Sequence, residues 1–209
     1  MRIVIQAVRS RTPVVEYLTK HLPQAEVCWD TTSNAMLTFM AALKMAGDGP
    51  SLHLEDDIVL TKDFVSKVEA GIEVANAGAR ARGIPKPIVQ FYSMRSADIE
   101  VGSRWDSNFS CNPCWYAPRG VDKELRDFFP VWMPRNREHP TGFDILIRDW
   151  VRRSGGPYWI HNPSLVQHRA GPSTLGPRSS RRVAKTFEDP ETRFSPPNPV
   201  IDEMLGEQE

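Results

Sequence analysis

The chain has 209 residues, 40% of them hydrophobic, which is enough to bury one sizeable core and too little for two comfortable enzyme domains. No run of about eighteen apolar residues occurs, and Met1-Arg2-Ile3-Val4-Ile5 enters a strand pattern rather than a signal peptide, so a soluble cytoplasmic protein with no membrane span is expected. Three cysteines, Cys28, Cys111 and Cys114, are an odd number that argues against a secreted disulfide framework. The net charge of zero hides a separation: residues 1–100 carry 11 basic and 12 acidic groups, residues 101–185 carry 14 and 7, and residues 186–209 carry 1 and 7. The basic stretch suits a phosphate-bearing ligand, or is simply a solvated surface.

Residues 3–7 read as a buried strand, and 12–21 as a helix opened by Thr12-Pro13. A second strand is expected over 25–29, followed by the capping loop Asp30-Thr31-Thr32-Ser33 and a helix over 34–46 that Gly47-Asp48-Gly49-Pro50 ends. Ser51-Leu52-His53-Leu54 is a short buried strand running directly into Glu55-Asp56-Asp57. This β-α-β-α-β alternation predicts an α/β fold with a mostly parallel central sheet flanked by helices, and places the three acids at the carboxyl edge where such sheets collect ligands. Further on, a helix is expected over 64–82, a strand over 87–92, a polar loop over the site at 94–109, a strand at 114–117 and a helix over 121–129. A loop rich in Pro, Arg and Trp (130–142), a helix over 143–153 and a last strand over 158–161 complete the pattern. From about Gly171 the composition is Pro, Ser, Arg and acids, which reads as a tail that a ligand orders or that stays disordered.

Three consecutive carboxylates at the end of an apolar strand call for a cation, since burying them unpaired costs several kcal/mol each. Residues i and i+2 share a face of a strand, so Glu55 and Asp57 point together and Asp56 points away. Two oxygen ligands with open positions suit Mg²⁺ or Mn²⁺ bridging to substrate phosphates. Asp57 is the first choice for direct coordination, and Glu55 or Asp56 is a candidate for the ribose of a nucleotide. His168, in a turn-rich stretch after the last expected strand, is either structural or a nitrogen ligand; in the second role it tilts the preference from Mg²⁺ toward Mn²⁺. The bland alternative for the acids is an exposed turn.

Leu52-His53-Leu54-Glu55-Asp56-Asp57-Ile58-Val59-Leu60 resembles the acidic metal motif of GT-A glycosyltransferases, in the form found in the bacterial lipo-oligosaccharide glycosyltransferase family and near small phage glycosyltransferases. The stretch Pro163 to Gly176 resembles that family's later segment, and Ser110 to Phe129 its acceptor-side strand and helix, although Cys111-Asn112-Pro113-Cys114 departs from it. The resemblance implies a single Rossmann-like GT-A domain over residues 1–176, with 177–209 as a basic loop and a partly flexible acidic tail. It also implies a nucleoside diphosphate sugar as donor, a uridine diphosphate sugar being favoured, with Asp57 and His168 jointly holding Mn²⁺ (or Mg²⁺) on the diphosphate. Metal-dependent hydrolysis or phosphoryl transfer, and a non-catalytic nucleic-acid- or glycan-binding module, are the competing readings.

Inverting transfer needs a carboxylate beside the acceptor hydroxyl, and Asp144, after Gly142-Phe143 at a helix start, is the candidate base; it equally suits a helix cap. Loops after the first two strands open onto the carboxyl edge, so Arg9 and Arg11 are offered for the diphosphate or ribose, and Trp29 and Asp30 for the base. Arg178, Arg181, Arg182 and Lys185 form a basic loop suited to phosphate, with Arg181 placed on the donor. The same cluster suits a nucleic-acid backbone; the resemblance to small phage glycosyltransferases, some of which act on hydroxymethylated DNA bases, implies such a base beside a glycan as acceptor. A single Cys-x-x-Cys lacks the second ligand pair of a structural zinc site and reads as packing.

Overall fold

A computed structural model describes residues 1–136, 142–154, 156–169, 182–188 and 190. The strands are β1 (Arg2–Ala7), β2 (Ala25–Trp29), β3 (Ser51–Glu55), β4 (Ile58–Leu60), β5 (Val89–Gln90), β6 (Arg104–Asp106), β7 (Cys114–Ala117), β8 (Tyr158–Ile160) and β9 (Val166–His168). The helices are α1 (Thr12–His21), α2 (Ala35–Ala46), α3 (Phe64–Arg82), α4 (Ala97–Val101), α5 (Val121–Trp132) and α6 (Phe143–Ser154), with short 3-10 turns at Arg9–Arg11 and Met133–Arg135.

Seven strands form one sheet in the order β2-β1-β3-β7-β5-β8-β6. The pairs β1–β2, β1–β3 and β5–β8 are parallel, while β7 lies antiparallel between β3 and β5, and β6 antiparallel on β8. Five strands therefore run one way and β7 and β6 the other. Alternate residues of the strands feed two cores. Ile3, Ile5, Leu52, Leu54 and Val89 pack with α1 and α3 through Val15, Leu18, Phe64 and Val68. On the opposite face Trp115, Ala117, Tyr158 and Ile160 pack with α2, α5 and α6 through Phe39, Leu43, Leu125, Leu146 and Ile147. This three-layer arrangement is a single Rossmann-like α/β domain, mostly parallel in strand direction. Among the described residues no helix is long and apolar enough to cross a membrane.

One polar group is built into the second core. Ser51, His53 and Asp122 are all essentially inaccessible. Asp122 accepts hydrogen bonds from Ser51 Oγ and His53 Nε2, the latter at 2.9 Å, and the His53 ring stacks on Trp115 with centroids 4.6 Å apart. The network ties the start of α5 to the first half of β3.

Several sequence expectations are corrected. The helix expected to stop at Phe129 continues through Pro130 to Trp132, because Trp132 is buried and its Nε1–H donates to Asp149 Oδ2 at 2.9 Å. Pro130 forfeits one helical bond near the end of the helix, which the packing of Trp132 outweighs. The strand expected over 87–92 narrows to Val89–Gln90. Residues 94–109 form no lid: they carry α4 and the edge strand β6, knitted by ion pairs of Arg104 with Asp98 and of Arg95 and Arg104 with Asp106. Of the stretch expected as a tail from 171, residues 182–188 are docked on the fold, while 171–181, 189 and 191–209 lie outside the described residues. Ala184 and Phe187 are buried in the first core, and Gln167 Oε1 accepts the Ala184 N–H at 2.9 Å.

Candidate active site

The acids sit where β3 leaves the sheet. Glu55 is still in register with Gln6 of β1, and its N–H donates to Pro113 O at 2.9 Å. Three residues later the chain enters β4, which leaves the main sheet and pairs antiparallel with β9. His168 thus lies on a strand, not in the loop expected after the last strand. The Ile58–His168 register sets its imidazole beside Asp57, and the Arg169 N–H donates to Asp57 O at 2.7 Å.

The resulting cluster is compact. One ligand atom each from Glu55, Asp57 and His168 lies within 4.8 Å of the others, and His168 Nε2 is 3.2 Å from Asp57 Oδ2. His168 Nδ1 is 2.9 Å from Arg169 O. A carbonyl only accepts, so Nδ1 carries the hydrogen and Nε2 faces the acids, which is the orientation of a metal-ligating histidine held by a backbone partner. Ligands at about 2.1 Å from an octahedral ion lie roughly 3 to 4.2 Å apart, so the donor set and its spacing fit Mg²⁺ or Mn²⁺ with small closure. Burial works to lower the His168 pKa, but the hydrogen bond and charge of Asp57, with Glu55 behind it, raise it above 6.5.

Asp56 lies beyond the end of β3, in the bend before β4, and is held by other partners. Its Oδ2 accepts the Val8 N–H at 2.6 Å and its Oδ1 accepts Arg11 Nη1 at 2.6 Å. It is thereby engaged in fixing the turn after β1. Burial raises its pKa, against the opposing effect of Arg11 and Val8.

A cleft of about 420 Å³ opens over these residues. Arg9, Ser10 and Arg11 after β1, Asp30, Ser33 and Thr38 around the start of α2, and Glu55, Asp56 and Asp57 line it, whereas His168 is not among the lining residues. Asp144 and Phe143, at the start of α6, and Arg182 line it as well. Asp144 lies in the first turn of α6. It lines the cleft, and it also accepts the Cys111 N–H at 3.3 Å and its neighbour Ile145's N–H at 3.0 Å. Asp30 continues the sheet pattern with its N–H on Ala7 O at 2.7 Å; burial acts to raise its pKa, but hydrogen bonds led by those from Thr32 and Thr38 lower it, keeping it ionised. Trp29 is not among the lining residues: the Arg9 guanidinium covers its ring at 4.2 Å from the centroid, leaving no open stacking face there.

No family model matches the chain, and no curated protein matches it by sequence. Among solved structures the chain is similar to one described as the crystal structure of A197 from STIV, with a TM-score of 0.50 and 14% identity over 83% of this chain and 87% of that chain. The likeness is one of fold.

Arg181 and Arg178, and residues 170–176 of the stretch that carried the later motif, lie outside the described residues. Within the described part, Arg182 is the basic-loop residue at the cleft, while Lys185 is exposed and is not among the residues lining it. Burial acts against the charge on Arg182, but Cys111, Glu55, Asp144 and Asp57 nearby outweigh it and raise its pKa. Sequence reasoning missed Gln6, Cys111 and Asn112 as lining residues. Cys111 adopts a left-handed backbone with φ of 55°, which bends the chain into the cleft just ahead of β7. The unusual Cys-Asn-Pro-Cys spacing was the available signal. Cys28, Cys111 and Cys114 are all buried free thiols, as the packing reading expects for the last two.

Proposed function

We propose that this chain is a metal-dependent glycosyltransferase that moves a sugar from a nucleoside diphosphate donor, uridine diphosphate sugars being favoured, to an acceptor hydroxyl. The observation that carries the reading is the convergence of Glu55, Asp57 and His168 beside a cleft that Glu55 and Asp57 line together with a separate carboxylate, Asp144. Glu55, Asp57 and His168 would hold Mn²⁺ or Mg²⁺, which when bound offsets the negative charge that develops on the departing nucleoside diphosphate. Arg11 and Arg182 add fixed positive charge along the same path. Asp30, with its carboxylate kept ionised, accepts from the base or ribose. Asp144 receives the proton of the acceptor hydroxyl as the new oxygen–carbon bond forms and the sugar–phosphate bond breaks, an inverting displacement.

The three buried free thiols support a reducing compartment and hence a cytoplasmic location. The excess of basic groups in residues 101–185 supports an acceptor that carries negative charge, a glycan or a hydroxymethylated DNA base.

Incubation with Mn²⁺ and a panel of nucleotide sugars tests the reading. A transferase releases nucleoside diphosphate slowly even to water, and faster with the right acceptor. Cleavage of phosphate esters that lack a sugar would favour a hydrolase instead, and binding without turnover of any donor would leave a recognition module.

A further inference from the structure

Arg11 is set against the same oxygen that the imidazole faces. Its Nη1 lies 2.9 Å from Asp57 Oδ2 and 2.6 Å from Asp56 Oδ1, while His168 Nε2 stands 3.2 Å from that Asp57 oxygen. The Arg11 side chain is only 19% exposed, so water screens it weakly. The acidic cluster therefore contains a cation of its own. A divalent ion taken by Asp57 Oδ2 at about 2.1 Å would share this oxygen with the guanidinium, leaving two positive centres within about 5 Å of one another. Two such charges in a half-buried site disfavour each other, so the ion and the Arg11–Asp57 contact compete.

We propose that Arg11 is a positioning residue that couples metal binding to the arrival of an anionic ligand; this rests on reading the cleft as a metal and diphosphate site. With the cleft free of phosphate, Arg11 neutralises Asp56 and Asp57 together and weakens the cluster's affinity for divalent ions. A diphosphate in the cleft gives the guanidinium a second anionic partner. Arg11 then leaves Asp57, keeps Asp56, and donates its remaining N–H groups to phosphate oxygens, while the ion takes the vacated carboxylate oxygen. A guanidinium suits this exchange because its planar fork serves two oxyanions at once, which a lysine ammonium does less well. The local backbone already favours it. Asp56 Oδ2 fixes the Val8 N–H at 2.6 Å, and Arg9, Ser10 and Arg11 all line the cleft, so side-chain motion suffices. Metal and donor then bind synergistically, and the protein takes up little free ion.

The test is Mn²⁺ binding to the full chain by electron paramagnetic resonance, alone and with inorganic pyrophosphate corrected for its own chelation. Arg11→Met is expected to bind Mn²⁺ alone about tenfold tighter than the wild type, with the gain from pyrophosphate reduced by a similar factor. Arg11→Lys keeps the charge and should bind Mn²⁺ alone within about threefold of the wild type. A folded Arg11→Met protein that binds Mn²⁺ no tighter, or a lysine variant that tightens as much as the methionine one, overturns the proposal. Should Arg11→Met fail to fold, the wild type decides: Mn²⁺ affinity indifferent to pyrophosphate overturns it. Asp57→Asn separates the two layers of the argument. Unchanged Mn²⁺ binding in Asp57→Asn removes the metal site itself, whereas loss there without a gain in Arg11→Met removes only the role of Arg11.

Discussion

Gly71→Ala is expected to destabilise the protein although the residue lies inside α3, where alanine is intrinsically the better helix former by about 1 kcal/mol. An added Cβ would lie 2.6 Å from His161 Cδ2 and 2.9 Å from Phe91 Cε1, well inside the roughly 3.5–4.0 Å of a favourable carbon contact. Neither ring gives way freely. Phe91 is fully buried, and His161 Nδ1 is held 2.8 Å from Pro163 O. Overpacking of this kind costs about 1–3 kcal/mol, and displacing His161 forfeits a hydrogen bond of about 1 kcal/mol. The helix-propensity gain offsets only about 1 kcal/mol of this, so the net loss is about 1–3 kcal/mol, or a fall in Tm of roughly 2–12 °C for a chain of this size. Gly78, two turns further along the same helix, is the control. An added Cβ there meets Trp105 Cζ2 at 3.4 Å and nothing nearer, so Gly78→Ala should be neutral or stabilising by up to about 1 kcal/mol. Urea and thermal melts of the two variants supply the comparison. A Gly71→Ala protein as stable as the wild type, or both variants shifting in the same direction, would refute the packing described for α3 against β5 and the end of β8.

Asp144→Asn should keep Mn²⁺ and nucleotide binding while losing transfer by a factor of about 10²–10⁴, measured by parallel binding and turnover assays; equal loss of both would remove its role as base. Gln167→Leu leaves the Ala184 N–H without its acceptor, and should cost about 1–3 kcal/mol and expose residues 182–188 to faster amide exchange. Unchanged exchange there would contradict the docking of this segment. Burial lowers the pKa of His161 below 6.5, against the raising effect of its bond to Pro163. The unfolded chain therefore takes up this proton first as pH falls, so the associated stability is whole above pH 6.5 and is lost on acidification through the lower folded value. His161→Gln should flatten the stability profile as pH falls below 6.5, and an unaltered slope would assign the acid loss to other groups.

Much of the fold is local and was legible. Helices over 12–21 and 64–82 and strands over 25–29 and 114–117 have the same bounds in the structure, although Arg11 rather than Thr12 stands at the N-cap of α1 and neither helix has a side-chain N-cap bond. That Glu55 and Asp57 converge without Asp56 does not rest on strand alternation, because β3 ends at Glu55 and residues 56 and 57 lie in a bend. What the sequence concealed is relational. Strand β9 is three residues long, too short to show a period, and exists because β4 offers it a partner more than a hundred residues earlier. Without that pairing His168 reads as a loop residue, although its register is what sets it beside Asp57. The roles of Asp56 and Arg11 are equally invisible in one dimension, since they depend on β1 and β3 lying side by side. Pro130 misled for the opposite reason: a strong local stop signal was overridden by the burial of Trp132.

The central claim is that Glu55, Asp57 and His168 grip one divalent ion, and anomalous diffraction from crystals grown with manganese and uridine diphosphate tests it most directly. The account predicts a manganese peak about 2.1–2.3 Å from Asp57 Oδ2 and His168 Nε2, with diphosphate oxygens completing its shell on the cleft side. A peak elsewhere in the molecule, or nucleotide bound in the cleft while Asp57 and His168 keep their direct contact with no metal between them, would contradict it.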